Sequence, residues 1–264
     1  MSKHLAFHDS IIAGNGGNWV DFERLVRDIY VSILKPGDVT LDVGVNRGDH
    51  LLQMIPAVGP SGLVIGVEAA PSMVALVQDF LSINHFDRDY DVILHNCAVS
   101  DKEGITKFHF VKDQPGLSSL ADREVAREYD VEIFDVPVTT LDTLLKDVDR
   151  TVSFVKLDIE GAEYHALLGA KRLLERDRPP IVFEFNDQAP VHFGYKSEDI
   201  LHLFHSYGYT IQDFFGFSYS TPRDLTETKV WNYFAAPSEQ IERFEIPALV
   251  KAKLLEQDVV LPSR

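Results

Sequence analysis

The segment VTLDVGVNRGDH, from Val39 to His50, constrains the fold more tightly than any other stretch of the chain. A short apolar run over Val39–Val43 reads as a strand, Gly44 to Gly48 as a turn, and His50 to about Ala57 as the start of a helix. Glycines let the backbone bend sharply and be approached closely, and a helix N-terminus presents N–H groups with no intrahelical partner. In α/β proteins this junction lies at the carboxyl edge of a parallel sheet, where nucleotide-like ligands bind.

The alternation continues. Gly62–Glu68 reads as a strand, Ser72–Asn84 as a helix and Asp91–Val99 as a strand. Val152–Asp158, Gly161–Glu175 and Pro180–Phe185 repeat strand, helix and strand. Such alternation predicts a doubly wound, mostly parallel sheet with helices on both faces. Between these halves, Thr106–Val111 and Val131–Thr139 are extended, with a loop and helix over Gly116–Glu128 and a short helix over Leu141–Lys146. After a helix at Ser197–Tyr207, Tyr209–Phe214 and Val230–Ala235 suit an antiparallel pair that closes the sheet. Ahead of the sheet, residues 1–38 form a helical segment: Trp19–Leu34 has helical spacing and ends at Lys35-Pro36-Gly37-Asp38. Asp9–Asn18, with Gly14, Gly16 and Gly17, reads as a flexible terminus or a lid. The α/β domain spans 39–237, and 238–264 is a tail whose amphipathic helix, Glu239–Gln257, breaks near Pro247.

A chain of 264 residues, 45% hydrophobic, can bury one full core. The lone cysteine, Cys97, excludes an intrachain disulfide and reads as a small buried residue. The opening MSKHLAFHDS lacks the apolar core of a signal peptide and no run is long enough to cross a bilayer, so a cytoplasmic protein is expected. A net charge of -16 opposes a nucleic-acid partner. Association into a homo-oligomer stays open.

Two constellations carry the chemistry. In the first, Asp42, Gly44, Asn46 and Gly48 surround the turn. A dinucleotide fingerprint would need a glycine where Asn46 stands, so a zwitterionic amino-acid ligand fits better than a pyrophosphate. Asp42 suits a cationic end of that ligand or a loop N–H. Glu68, about twenty residues on, is placed to accept two ribose hydroxyls, or else to cap the helix after Pro71. Ala98 and Val99 could read an adenine through their backbone, or be strand core. In the second, FVKLDIEGAEYHALLGA, a buried strand delivers Lys156, Asp158 and Glu160 to its end, with Glu163 in the next helical turn. Lys156 reads as an ion-pair partner and Glu163 as a complement to the helix dipole.

These segments resemble the FkbM family of S-adenosyl-L-methionine-dependent methyltransferases. LDVGVNRGDH, GVEAAP, and VKLDIEGAEYHALLGA followed by IVFEFN occur in matching order between Trp19 and Asn186, the Asp-Ile-Glu-Gly-Ala-Glu run being the most specific. Val45 departs from the alanine usual there. The resemblance implies a class I fold, a Rossmann-like seven-stranded sheet with one antiparallel strand. It implies S-adenosyl-L-methionine as cofactor, and O-methylation of a small molecule, sugar or glycolipid. Asp158 beside the sulfonium would then serve both cofactor binding and catalysis.

Methyl transfer to an alcohol needs a base within hydrogen-bond reach. Asp158, Glu160 and Glu184 are the candidates, with His192 behind them; Ser118 and Ser119 suit an acceptor or cofactor loop, or a helix cap. Asp158, Glu184 and Asn186 could form an oxygen site for Mg²⁺, but the resemblance requires none and no metal is expected. The pairs His4/His8 and His202/His205 lack a third ligand. Two rivals stay open: a nicotinamide-dependent oxidoreductase, and a non-catalytic cofactor-binding or protein-interaction domain.

Overall fold

The computed structural model describes residues 7–8, 20–124, 128–185, 189–221 and 230–256. Asp9–Asn18, His4, Asn186 and the end of the tail lie outside the described residues. Eleven strands are assigned among the described residues: β1 Val39–Val43, β2 Leu63–Glu68, β3 Asp91–Asn96, β4 Ala98–Val99, β5 Gly104–Val111, β6 Val131–Thr139, β7 Val152–Leu157, β8 Ile181–Glu184, β9 Tyr209–Asp213, β10 Ser218–Tyr219 and β11 Asn232–Pro237.

Eight of them make one sheet in the order β10-β9-β11-β8-β7-β1-β2-β3. Pairing is parallel from β3 through β8, and β11 runs antiparallel between β8 and β9. From β3 to β9 that is the doubly wound class I order, with β11 as its one reversed strand. One strand more than the expected seven is present because the two-residue β10 pairs antiparallel with the outer edge of β9. The central strand β1 is buried along its whole length and β7 almost so, as their near-continuous apolar runs require of strands covered on both faces.

Helix α1, Phe22–Ile33, begins where Asp21 accepts the Arg24 N–H at 3.0 Å, and buries Leu25, Val26, Ile29 and Tyr30. Helix α2, Leu51–Val58, follows the glycine turn. In the tail, Pro247 opens the last helix, Ile246–Leu255, rather than breaking one, and Val250 and Leu254 of that helix are buried.

Three further boundaries differ from expectation. The stretch Asp91–Val99 is two strands, not one: β3 ends the large sheet, and after Cys97 the chain passes to β4, which pairs parallel with β6 in a separate sheet, β4-β6-β5. The predicted helix Gly161–Glu175 is regular only over Glu163–Leu168, which we call α3. It stops at Gly169, where a Cβ would meet the Ser100 carbonyl oxygen at 2.2 Å, and resumes as a π turn at Leu173–Asp177. Finally, where a loop and helix were expected over Gly116–Glu128, the described residues give a 3₁₀ turn at Pro115–Leu117 and 3₁₀ geometry at Glu124 and Glu128, and residues 125–127 lie outside them.

Candidate functional site

The carboxyl ends of β1, β2, β7 and β8 open on a cavity of about 960 Å³. Gly44, Asn46, Glu68, Ala98, Val99, Asp158, Glu160 and Glu184 all line it. Asp42 and Gly48 do not. Asp42 is fully buried behind the turn, where Lys156 Nζ stands 3.7 Å from its Oδ1. Gly48 packs beneath the turn against Val77.

The turn at Gly44 is fixed from both sides. Its N–H donates to the Val67 carbonyl at 2.9 Å, and the Asp158 N–H donates to the Val43 carbonyl at 3.0 Å. Gly44 has φ +88°, and a Cβ there would stand 1.8 Å from the Asp158 carbonyl oxygen. The glycine is thus required by the neighbouring strand and by the backbone angle. Asn46 also lies in the left-handed region, with φ 51°, which brings its N–H to Glu68 Oε2 at 2.8 Å. Glu68 Oε1 accepts the N–H of Ala70, the residue ahead of the helix Pro71–Ile83, at the same distance, and Glu68 lines the cavity; that helix has no side-chain cap. Burial raises the Glu68 pKa, and these two N–H groups oppose the rise. Phe108 and Phe110 of β5 close the wall beside Ala98.

The second constellation gathers at the end of β7. Lys156 donates to Asp158 Oδ2 at 3.1 Å and to the Gly44 carbonyl at 3.5 Å, so it is the structural ion-pair partner expected. Burial works to raise the Asp158 pKa, but the Lys156 cation and hydrogen bonds with Glu184 and Lys156 outweigh it and hold Asp158 low. Glu184 moves the other way: burial, then the charge of Asp158, raises it well above the carboxylate range. The shifts of the two carboxyls run in opposite directions, as neighbouring acids that favour a single negative charge between them should. Glu160 completes the group, one oxygen from each of the three carboxyls lying within 4.8 Å of the others. Burial pushes Glu160 up to about 7, against the pull of Arg123 and with help from the Asp158 charge.

Glu160 sits in the left-handed region, with φ 56°, and the turn is held from outside the motif. Ser119 Oγ donates to the Glu160 carbonyl at 2.9 Å, Arg123 donates to the same carbonyl at 3.2 Å, and Arg123 also pairs with the Glu160 carboxylate. Inside the turn, Glu163 accepts the N–H groups of Ile159 at 2.8 Å and Gly161 at 3.3 Å, a role beyond that of a dipole complement. His192 does not line the cavity. Arg123 escaped sequence reading because no spacing pattern ties it to a residue thirty-odd positions away. Glu23 escaped likewise; it pairs with His50 Nε2 at 2.6 Å and lines the cavity from α1.

Two cavity-lining atoms among the described residues are buried without a hydrogen-bond partner, Asn46 Oδ1 and Arg24 Nε. Unmet polar atoms on a cavity wall, with Glu68 beside an apolar pocket, fit a polar nucleoside carrying an amino-acid end.

Solved structures of similar fold include an FkbM methyltransferase from Methylobacillus flagellatus KT, 17% identical over 78% of this chain, with a TM-score of 0.48. The chain spans only 47% of that protein's length. Aeropyrum pernix fibrillarin, solved with S-adenosyl-L-methionine, is 15% identical over 81% of this chain and 74% of its own, with a TM-score of 0.42. A SAM-dependent O-methyltransferase from Thermotoga maritima is 12% identical over 87% and 70%, with a TM-score of 0.43. The methyltransferase FkbM domain itself matches residues 42–211, more than half of the chain and both constellations. The chain belongs to the FkbM methyltransferase family, whose methyl donor is S-adenosyl-L-methionine.

Proposed function

We propose that this protein methylates a hydroxyl of a small molecule, sugar or glycolipid, with Glu160 as the base that takes the hydroxyl proton. The observation that carries the reading is the carboxyl group of three, Asp158, Glu160 and Glu184, facing the cavity beside the Gly44 turn. When bound, the cofactor supplies a methyl group on a sulfonium. Glu68, Ala98 and Val99 line the same cavity, and we read Glu68 as the partner of the ribose hydroxyls and Ala98 and Val99 as neighbours of the base. An alcohol is neutral before transfer and must shed a proton as its oxygen is alkylated, so a base of pKa near the working pH serves it best. Glu160 titrates at about 7, whereas the Lys156 cation helps hold Asp158 low and burial beside the Asp158 charge raises Glu184 well above its ordinary value. Holding oxygen and methyl carbon in line supplies much of the remaining rate.

Lys156 and Arg123 already offset the charge of Asp158 and Glu160, so the same oxygens have little left to offer a divalent cation. We therefore read the reaction as metal-free, with turnover persisting in a chelator. The test is incubation of the purified chain with methyl-labelled S-adenosyl-L-methionine and a panel of sugar and polyketide alcohols. A methyl ether in the product supports the reading. Label on nitrogen or carbon, or S-adenosylhomocysteine binding with no turnover on any alcohol, counts against it. Thermal stabilisation by NAD but not S-adenosylhomocysteine would favour the oxidoreductase instead.

A further inference from the structure

Helix α1 lines the cavity through Phe22, Glu23, Arg24, Arg27 and Tyr30. Its Glu23 holds His50 at the head of α2, its Tyr30 packs on Phe154 of β7, and Phe22 meets Phe214 just past β9. Glu23, Lys156 and Asp158 line the same cavity, which sets this helix face on the site that holds the carboxyl cluster. Arg24 and Arg27 both line the cavity from α1. One Nη of Arg27 is held by Asp28 at 3.2 Å, but Arg24 Nε is buried with its hydrogen unmet, and among the described residues no ion pair forms on its guanidinium. A buried donor left unmet is unfavourable, and a guanidinium fork is shaped for a carboxylate. The orphaned acceptor Asn46 Oδ1 lines the same cavity, so the unmet atoms there are one donor and one acceptor, the complement of a zwitterion. Asp42, two residues before the turn, is buried beside Lys156 and does not line the cavity.

We propose that Arg24, seconded by Arg27, is the carboxylate-binding site of the cavity, and that it takes the α-carboxylate at the amino-acid end of the cofactor. The assignment rests on the methyl-transfer reading. The same chemistry would serve an acidic acceptor, and the experiment separates the two sources.

Calorimetry compares S-adenosylhomocysteine with S-adenosyl-3-thiopropylamine, which lacks only the carboxylate, on the wild-type chain and on Arg24→Gln. The wild type should favour S-adenosylhomocysteine by about 30-fold, the scale of a charge-assisted hydrogen bond, and Arg24→Gln should erase that preference while leaving the amine within about twofold. Arg27→Gln should act in the same direction and less. If Arg24→Gln leaves S-adenosylhomocysteine binding intact, glucuronate is added to the nucleoside-saturated protein. Thermal stabilisation of the wild type but not of the variant would keep the carboxylate site and move its ligand to the acceptor. Equal weakening of both nucleosides, or no effect in either arm, overturns the site. A wild-type chain that binds neither nucleoside overturns the methyl-transfer reading along with it.

Discussion

The carbonyl oxygen of Asp158 rests directly against the α-carbon of Gly44, so closely that a methyl group on Gly44 would stand 1.8 Å from it. The cofactor turn and the carboxyl cluster are therefore one packed unit, and neither can shift without the other.

Gly44→Ala should break both at once. The new Cβ meets backbone rather than a flexible side-chain end, and φ +88° is unfavourable for alanine. A loss of about 2–4 kcal/mol in chemical denaturation is expected, with S-adenosylhomocysteine affinity falling at least ~100-fold. Native-like stability with unchanged affinity would show the contact to be relaxed in solution.

Glu68 holds two backbone donors besides facing the cavity. Glu68→Ala should lower stability by about 1–3 kcal/mol and abolish S-adenosylhomocysteine binding, whereas Glu68→Gln, which keeps one acceptor oxygen, should restore most of the stability and little of the affinity. Parallel melting and calorimetry on the two variants check this split. Recovery of both properties together in the glutamine variant would remove the charge from ligand binding.

With Glu160 titrating at about 7 and required as the anion, the turnover rate should climb roughly tenfold per pH unit below 7 and level off above it. Glu160→Gln should lose about 10²–10³ in kcat, show no such limb and leave S-adenosylhomocysteine affinity within about twofold. A pH profile that survives the substitution would pass the role of base to Asp158 or Glu184.

Glu163 has a folded pKa of about 8, raised by burial from an ordinary value of 4.5. A carboxyl raised in this way contributes stability that is complete below the unfolded pKa and lost as pH climbs through the folded one. The wild type should accordingly lose stability between about pH 5 and 8. Glu163→Gln keeps an oxygen for the Ile159 and Gly161 N–H groups and has no proton to lose, so at pH 8.5 it should melt about 3 °C above the wild type. Scanning calorimetry at pH 6 and 8.5 tests this, and parallel pH dependence of the two proteins would argue for a proton lost elsewhere.

The parallel half of the sheet was legible because every strand from Val39 to Phe185 carries its own apolar run and is followed by a helical or glycine signal. What escaped was set by contacts distant in sequence. Nothing local in the apolar stretch ending at Val99 marks Cys97 as the point where the chain leaves one sheet for another; partner β6 decides that. The glycine at position 169 is required by the carbonyl of Ser100, which lies almost seventy positions earlier and leaves no room for a Cβ. In the site, motif residues such as Glu68 and Asp158 could be read from spacing. Arg24 and Arg123 could not, since a lone arginine on a helix or loop looks the same whether it meets water or a buried wall. Asp42 was legible as an acid at a strand end but not as one kept from the cavity, because that depends on how the neighbouring strands and Lys156 pack around it.

The passage of the chain between sheets at Cys97 has an architectural result. The β5–β6 hairpin hangs from the large sheet as an appendage, joined through the two residues of β4, yet Ser119 and Arg123 from its far end clasp the Glu160 turn. Lengthening or recasting this arm would leave the eight-stranded frame alone while retuning the reactive corner it grips, a division between chassis and tool within one polypeptide.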